Sequence, residues 1–232
     1  MSAAFRRCVA IIPVSFAVLL VAGCRSVAGF SSATEVRVID ASYHAPALNV
    51  SIGGSPIAAN IVQGSITNYA ILGVQTSQAQ VYPVKSTTAA ISVSGAFGAS
   101  EQHSVYITDT ASGYTATVLE DQNTAAPSGY ASVRFLQQAI ATGPVDIYLV
   151  PSDSTLADTK AVLAGTAAGT ATNYINVPAD SYTLVVTAAG SITSKYTASL
   201  TLNGGAVRTL LIMDQQLTNN PPVTVVTGND LN

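Results

Sequence analysis

Residues that usually carry chemistry are scarce in this chain. It has two cysteines, two histidines and no tryptophan among 232 residues. Cys8 and Cys24 both fall near the start, so no disulfide can form beyond them and the fold must be held by its cores. The same count excludes zinc sites of the multi-cysteine kind. Charge is equally short: Asp, Glu, Lys and Arg make up 9% of the chain, against about 25% in ordinary globular domains. The basic residues are scattered singly and the net charge is −3, which argues against a nucleic-acid partner. No 3.6-residue period lasts for ten residues, so no long helix is expected. There is no Gly-x-Ser-x-Gly elbow, His-Glu-x-x-His, phosphate loop, dinucleotide fingerprint or calcium loop.

What is present begins with a leader. Arg6 and Arg7 precede an apolar run from Val9 to Ala22, too short for the roughly 20 residues of a membrane span. The run ends in Val21-Ala22-Gly23-Cys24. Charge, then apolar run, then small residues is the order of a secretory signal, and the last four residues resemble the lipobox of bacterial lipoproteins. That resemblance implies cleavage before Cys24 and lipid (palmitate) on its sulfur. Cys24 is thus the expected lipid-attachment site and the chain's link to a membrane, since two or more acyl chains anchor stably. The expected location is the cell envelope, and the outer membrane if the host has two. Without residues 1–23, 209 residues remain, with seven basic against twelve acidic and a net charge of −5.

Residues 24–34 are small and polar and read as a tether. From Glu35 the pattern alternates, with Val36 and Val38 on one face and Arg37 on the other, as in a half-buried strand. Short strands are predicted at 48–52, 56–61, 66–72, 79–84, 89–94, 104–108 and 114–119, with Gly53-Gly54 as a hairpin turn. Residues 121–131 break the alternation and mark a linker between a domain at 35–120 and another at 132–232.

The second domain restarts the first. Val133-Arg134-Phe135 answers Val36-Arg37-Val38, and Val145–Leu149 answers Leu48–Ile52, both at an offset of 97. Gly169–Tyr174 answers Gly64–Tyr69 at 105, which requires about eight residues inserted within Pro151–Ala168. Thr197–Leu202 answers Thr88–Val93, Ile212-Met213-Asp214 answers Ile107-Thr108-Asp109, and Val223–Thr227 should close the second copy as Tyr114–Leu119 closes the first. In both second strands the aliphatics should face the core, leaving Asn49 and Asp146 outward.

The run Val36–Ser42, the Ala45-Pro46-Ala47-Leu48-Asn49-Val50 segment, the Gly-Ser-x-x-x-Tyr turn and the linker ending in Val133-Arg134-Phe135 resemble the DUF4397 family of bacterial extracytoplasmic β-domains. The resemblance covers roughly residues 35–215 and implies β-sandwiches, often in tandem and on lipoproteins; it supplies no activity, none being established for the family. Where the family has Ser-Pro-Asp-Ala-Pro, this chain has Ser42-Tyr43-His44-Ala45-Pro46. Seven or eight strands in about 100 residues independently suggest an all-β, immunoglobulin-like antiparallel sandwich, with a small barrel as the alternative.

Candidate chemistry is thin. Asp40, His44, His103 and Asp109 could form a metal or hydrolytic site in the first copy if they meet in one pocket. Otherwise Asp40, Asp109, Asp146, Asp153, Asp158 and Asp214 suit turns, where a carboxylate takes backbone amides. Tyr69 and Tyr174 could be exposed platforms for sugar, but a strand tyrosine more often packs its ring and bonds its hydroxyl. The Asn49-Val50-Ser51 sequon carries no expectation in a bacterial lipoprotein. The expectation is therefore a non-catalytic envelope lipoprotein acting as a structural, adhesive or ligand-binding module, with no catalytic residue, metal or cofactor and with an envelope protein or glycan as partner; the alternative is an envelope hydrolase or metal-binding protein with a site in the first domain.

Overall fold

The computed structural model describes residues 33–73, 75–215 and 222–231; Cys24, the leader and most of the tether lie outside the described residues. Among the described residues every regular element is a strand. The first eight are β1 (Ala33–Asp40), β2 (Leu48–Ile52), β3 (Ser55–Ile61), β4 (Ala70–Gly73), β5 (Gln75–Pro83), β6 (Ile91–Phe97), β7 (Gln102–Thr110) and β8 (Gly113–Asp121). They form two sheets, ordered β4-β1-β7-β8 and β3-β2-β5-β6. Between the sheets, Val36, Val38, Val50, Ile52, Val81, Phe97, Val105 and Ile107 pack into one core. Gly53 and Gly54 both take positive φ, the conformation that a two-residue primed turn demands.

The remaining strands are β9 (Tyr130–Gln138), β10 (Val145–Pro151), β11 (Leu163–Thr166), β12 (Thr170–Ala171), β13 (Ile175–Pro178), β14 (Asp180–Ala188), β15 (Ser194–Leu202), β16 (Val207–Asp214) and β17 (Val223–Asn229). Their sheets run β12-β9-β16-β17, with β13 also on β9, and β11-β10-β14-β15. A second core, built around Val133, Phe135, Val145, Ile147, Leu184, Leu210 and Ile212, fills the space between them. No sheet closes on itself, so both sets of strands are sandwiches and not barrels.

The two sets share order and register. Val36 lies opposite His103, and Val133 opposite Arg208. The sheets are antiparallel as expected except for these two pairs, β1 with β7 and β9 with β16, which are parallel; hydrophobic alternation fixes a strand's faces but not its neighbour's direction. The strand expected at 66–72 is broken into a single bridge from Ile66 to Ile39 and the short β4. In the gap, Thr67 Oγ1 takes the Val38 amide at 2.9 Å, and Thr172 Oγ1 takes the Phe135 amide at 3.0 Å between β12 and β13. The extra length of the second set falls between β10 and β11, within the span expected from the sequence. Val81 and Val186 pair with Val50 and Ile147, and then with Ile91 and Tyr196. β6 and β15 therefore match Ile91 to Tyr196, four residues from the expected match of Thr88 to Thr197.

Leu48, Val50, Ile52, Val145, Ile147 and Leu149 all point into their cores, as expected. Asp146 lies on the opposite face and is still buried, because its carboxylate takes the Gly165 and Gly190 amides at 2.7 Å each. Asn49 likewise takes the Asn60 amide at 2.9 Å. Asn60 and Gly165 both have positive φ and sit where the ladder to the second strand shifts register. Each outward side chain thus satisfies the amide freed by a bulge.

The sandwiches stack so that the β1 and β9 sheets face each other. Ile39, Ala41, Tyr106, Leu136, Leu211 and Met213 form a third core between them. Two contacts fix their relative direction: Arg37 reaches Asn229 O at the end of β17, and Gln63 reaches Asp214 O at the end of β16. The start of β1 and the start of β9 therefore share one end of the molecule, here the tether end. The loops after β1 and β9 share the other, the distal end.

Candidate functional site

The densest polar constellation lies in the seam between sandwiches. Arg37 and Arg134 occupy matching places on β1 and β9 and face away from their own cores. Read from the sequence as the outer residue of a half-buried strand, Arg37 is in fact 1% exposed, because its outer face is covered by the other sandwich. Its Nη1 pairs with Asp230 at 2.7 Å, its Nε donates to Ser104 Oγ at 2.8 Å, and its Nη2 donates to Thr209 Oγ1 at 3.1 Å. Arg134 Nη2 reaches across to Asp121 at 2.7 Å and also to Thr209 Oγ1 at 3.1 Å. Each arginine also donates to a backbone oxygen of the opposite sandwich, Asn229 O and Glu120 O. The arrangement is a pseudo-twofold in which each sandwich offers its arginine to the other's aspartate.

Tyr69 and Tyr174 complete it. Their rings lie 4.7 and 4.8 Å from the Arg37 and Arg134 guanidinium carbons, a cation–π distance. Their hydroxyls donate to Asp121 at 2.7 Å and Asp230 at 2.6 Å. They are packed, hydrogen-bonded tyrosines and not sugar platforms. Burial opposes the Arg37 charge, but Asp230 and Asp121 outweigh it and hold its pKa above the usual value. Burial, reinforced by the neighbouring carboxylates, raises both tyrosine pKa values. Arg37 is thereby held in its charged form and the two tyrosines in their protonated form.

The second constellation lies at the distal end of the first sandwich. Asp109 takes Ser42 Oγ at 2.6 Å, the Tyr43 amide at 2.7 Å, the His44 amide at 3.0 Å and His44 Nδ1 at 3.1 Å. Asp40, fully buried, takes the Ser42 amide at 3.0 Å through Oδ1, while its Oδ2 has no hydrogen-bond partner. In the second sandwich Asp214 takes the Ala141 amide and Thr142 Oγ1 at 2.5 and 2.7 Å. Gln137 stands in Asp40's place: its oxygen takes the Ala139 amide at 2.6 Å and its amide donates to Gly143 O and Thr166 O. These side chains hold the loops after β1 and β9.

Where Gln137 is neutral, Asp40 is ionisable, and burial with Asp109 nearby pushes its pKa up to about 6. Asp109 from β7, Tyr114 from β8 and, through Asp109, His44 are the titratable groups that bear on it. The folded chain holds the Asp40 proton more tightly than the unfolded chain. Stability from this group is therefore complete below about pH 4, falls between about pH 4 and 6, and stays lower above. Asp40→Asn is expected to remove that loss and raise stability at pH 7 by about 1–2 kcal/mol, with no gain at pH 4. Urea unfolding at the two pH values checks it; equal midpoints for both proteins at pH 7 refute it.

The four residues expected to meet in the first copy do so only in part. Asp40, His44 and Asp109 converge, but His103 is six residues before Asp109 along β7, roughly 20 Å away, where it bonds Glu101 at 3.1 Å and meets Phe97 edge-on. Among the described residues no group of three or more His, Cys, Asp or Glu is placed to hold a metal ion. Asp153 and Asp158 bond Ser154 and Thr155 within their own loop. Sequence reasoning missed Asp121 and Asp230, read as linker and terminus. The available signal was their equivalence at the ends of the two closing strands, in a chain with so few charges.

Paired sandwiches with a buried ionic seam define an all-β protein. Residues 34–148 match the model of a family described as a domain of unknown function, DUF4397, and this chain carries a DUF4397 domain over that span. The match runs past the first sandwich, through β9 and into β10. No curated protein matches this chain.

Proposed function

We propose that this is a non-catalytic, lipid-anchored protein of the cell envelope, in which two DUF4397-type sandwiches in tandem form a structural, adhesive or ligand-presenting module. One observation carries it: Asp40, Asp109, Asp146 and Asp214 hold loop amides, and Asp121 and Asp230 join the sandwiches. Ser42 illustrates the point, since its hydroxyl donates to Asp109 and accepts the Ala45 amide at 3.0 Å, so that both of its hydrogen-bonding roles hold the loop after β1. The seam and the third core join the two sandwiches. The tether end leads to Cys24, while the distal loops face away, and loops on a rigid scaffold are natural binding surfaces. Envelope protein or glycan is the partner class.

The anchor is tested by Cys24→Ala. Membrane fractionation of cells is expected to find the substituted protein as uncleaved precursor or in the soluble fraction, without acyl label. A processed, membrane-retained form would refute the lipid attachment. Pull-down from envelope extracts, with wild-type chain and with the distal loop altered by Tyr43→Ala and His44→Ala, tests the presenting role; hydrolysis of envelope glycans or esters lost in Asp109→Asn would instead favour the hydrolase.

A further inference from the structure

The two ends of the molecule differ in charge. At the distal end lie four carboxylates, Asp40, Asp109, Asp146 and Asp214, and the side chain of each is buried and spent on backbone amides. The exposed ionic groups there are Lys85, after β5, and Lys195, at the start of β15, joined by the 60%-exposed His44 side chain. The exposed acids Glu101, Glu120, Asp153, Asp158 and Asp180 all lie at the tether end. Exposed aliphatics are divided as well: Val62, Ile140 and Ile192, the last 73% exposed, stand on distal loops.

We propose that the distal end docks onto an anionic phospholipid surface. The proposal rests on the reading that the tether end is membrane-anchored, and it names what the free end meets. Lys85 and Lys195 belong to the two outer sheets of a four-layer stack, so they are separated by about three inter-sheet spacings, roughly 30 Å. A single small anion cannot touch both. A plane can, and a bilayer also accepts loop-tip aliphatics, which a fully hydrated acidic chain does not. The absence of exposed distal carboxylates among the described residues removes the repulsion that would oppose it.

Full-length chain, held through its N-terminal segment in phosphatidylcholine vesicles, is mixed with acceptor vesicles containing phosphatidylglycerol, and bridging is read by light scattering. Bridging is expected at low salt and is lost as salt rises. Lys85→Gln with Lys195→Gln should weaken it roughly tenfold or more, and Ile192→Asp should weaken it independently. Equal bridging to pure phosphatidylcholine acceptors, indifference to these substitutions, or retention on polyglutamate without bridging would overturn the proposal, the last in favour of an acidic protein. Flotation with the donor vesicles reads the anchor separately. Chain that fails to float refutes the anchor alone, and its co-sedimentation with phosphatidylglycerol vesicles then reads the distal end with the same variants.

Discussion

Asp121→Ala is expected to cost about 3–5 kcal/mol, the cost of leaving a buried charge without its counter-ion. Asp121 is fully buried at its side chain and is the only carboxylate among the described residues within ion-pair distance of Arg134. It also accepts Tyr69 Oη at 2.7 Å and Ser104 Oγ at 2.5 Å and lies 3.5 Å from Arg37 Nε. Alanine thus strands one guanidinium, weakens the setting of the other and orphans two hydroxyls at once. Against a total stability of about 5–15 kcal/mol this is a large share. Asp121→Asn, which keeps the acceptor oxygen and loses the charge, should cost less. Urea unfolding followed by far-ultraviolet circular dichroism measures both. The seam is what couples the sandwiches, so the alanine variant should also separate one transition into two. An unchanged midpoint would show that the seam contributes little to stability.

That seam marks the limit of what could be read from the residues alone. The strand faces were legible wherever burial has a period of two: Leu48, Val50 and Ile52, and their counterparts 97 residues on, point inward as their alternation requires. The same rule misplaces Arg37. A polar residue between two valines signals a solvent face, and nothing local reports that a second sandwich covers it. The aspartates were legible as turn residues because they fall at or beside strand ends, and four of them hold loop amides. Asp121 and Asp230 were not, since each pairs with an arginine of the other sandwich. The parallel direction of β1 and β7 was equally hidden, because it is decided by the whole topology. The convergence of Asp40 and His44 with Asp109, and the separation of His103, follow from that topology too.

Gly228→Leu should approach the effect of breaking the seam outright. Gly228 lies opposite Thr209 on β17, as Leu119 lies opposite Ser104 on β8, so the two closing strands carry leucine and glycine at one equivalent place. Its φ is not in the left-handed region, and the need for glycine is one of space: a Cβ there would sit 3.2 Å from Arg37 Nη1 and 3.2 Å from Ile66 Cγ2. The matching place to Ile66 is Ala171, since these pair with Ile39 and Leu136 respectively. Large meets absent on one side of the pseudo-twofold, and leucine is matched with alanine on the other. Each sandwich is thereby shaped for its partner and not for a copy of itself, a selectivity that depends on clash as much as on attraction. Leucine at 228 would need the volume that the Arg37 guanidinium holds, so its cost combines overpacking, about 1–3 kcal/mol, with displacement of the Arg37–Asp230 pair, for a total of about 3–5 kcal/mol. Gly228→Leu combined with Ile66→Ala, which recreates the Leu119–Ala171 arrangement on the other side, should recover part of the loss. A double-mutant cycle by urea unfolding reads that coupling. Additive single effects would mean that Ile66 and Gly228 do not meet across the seam.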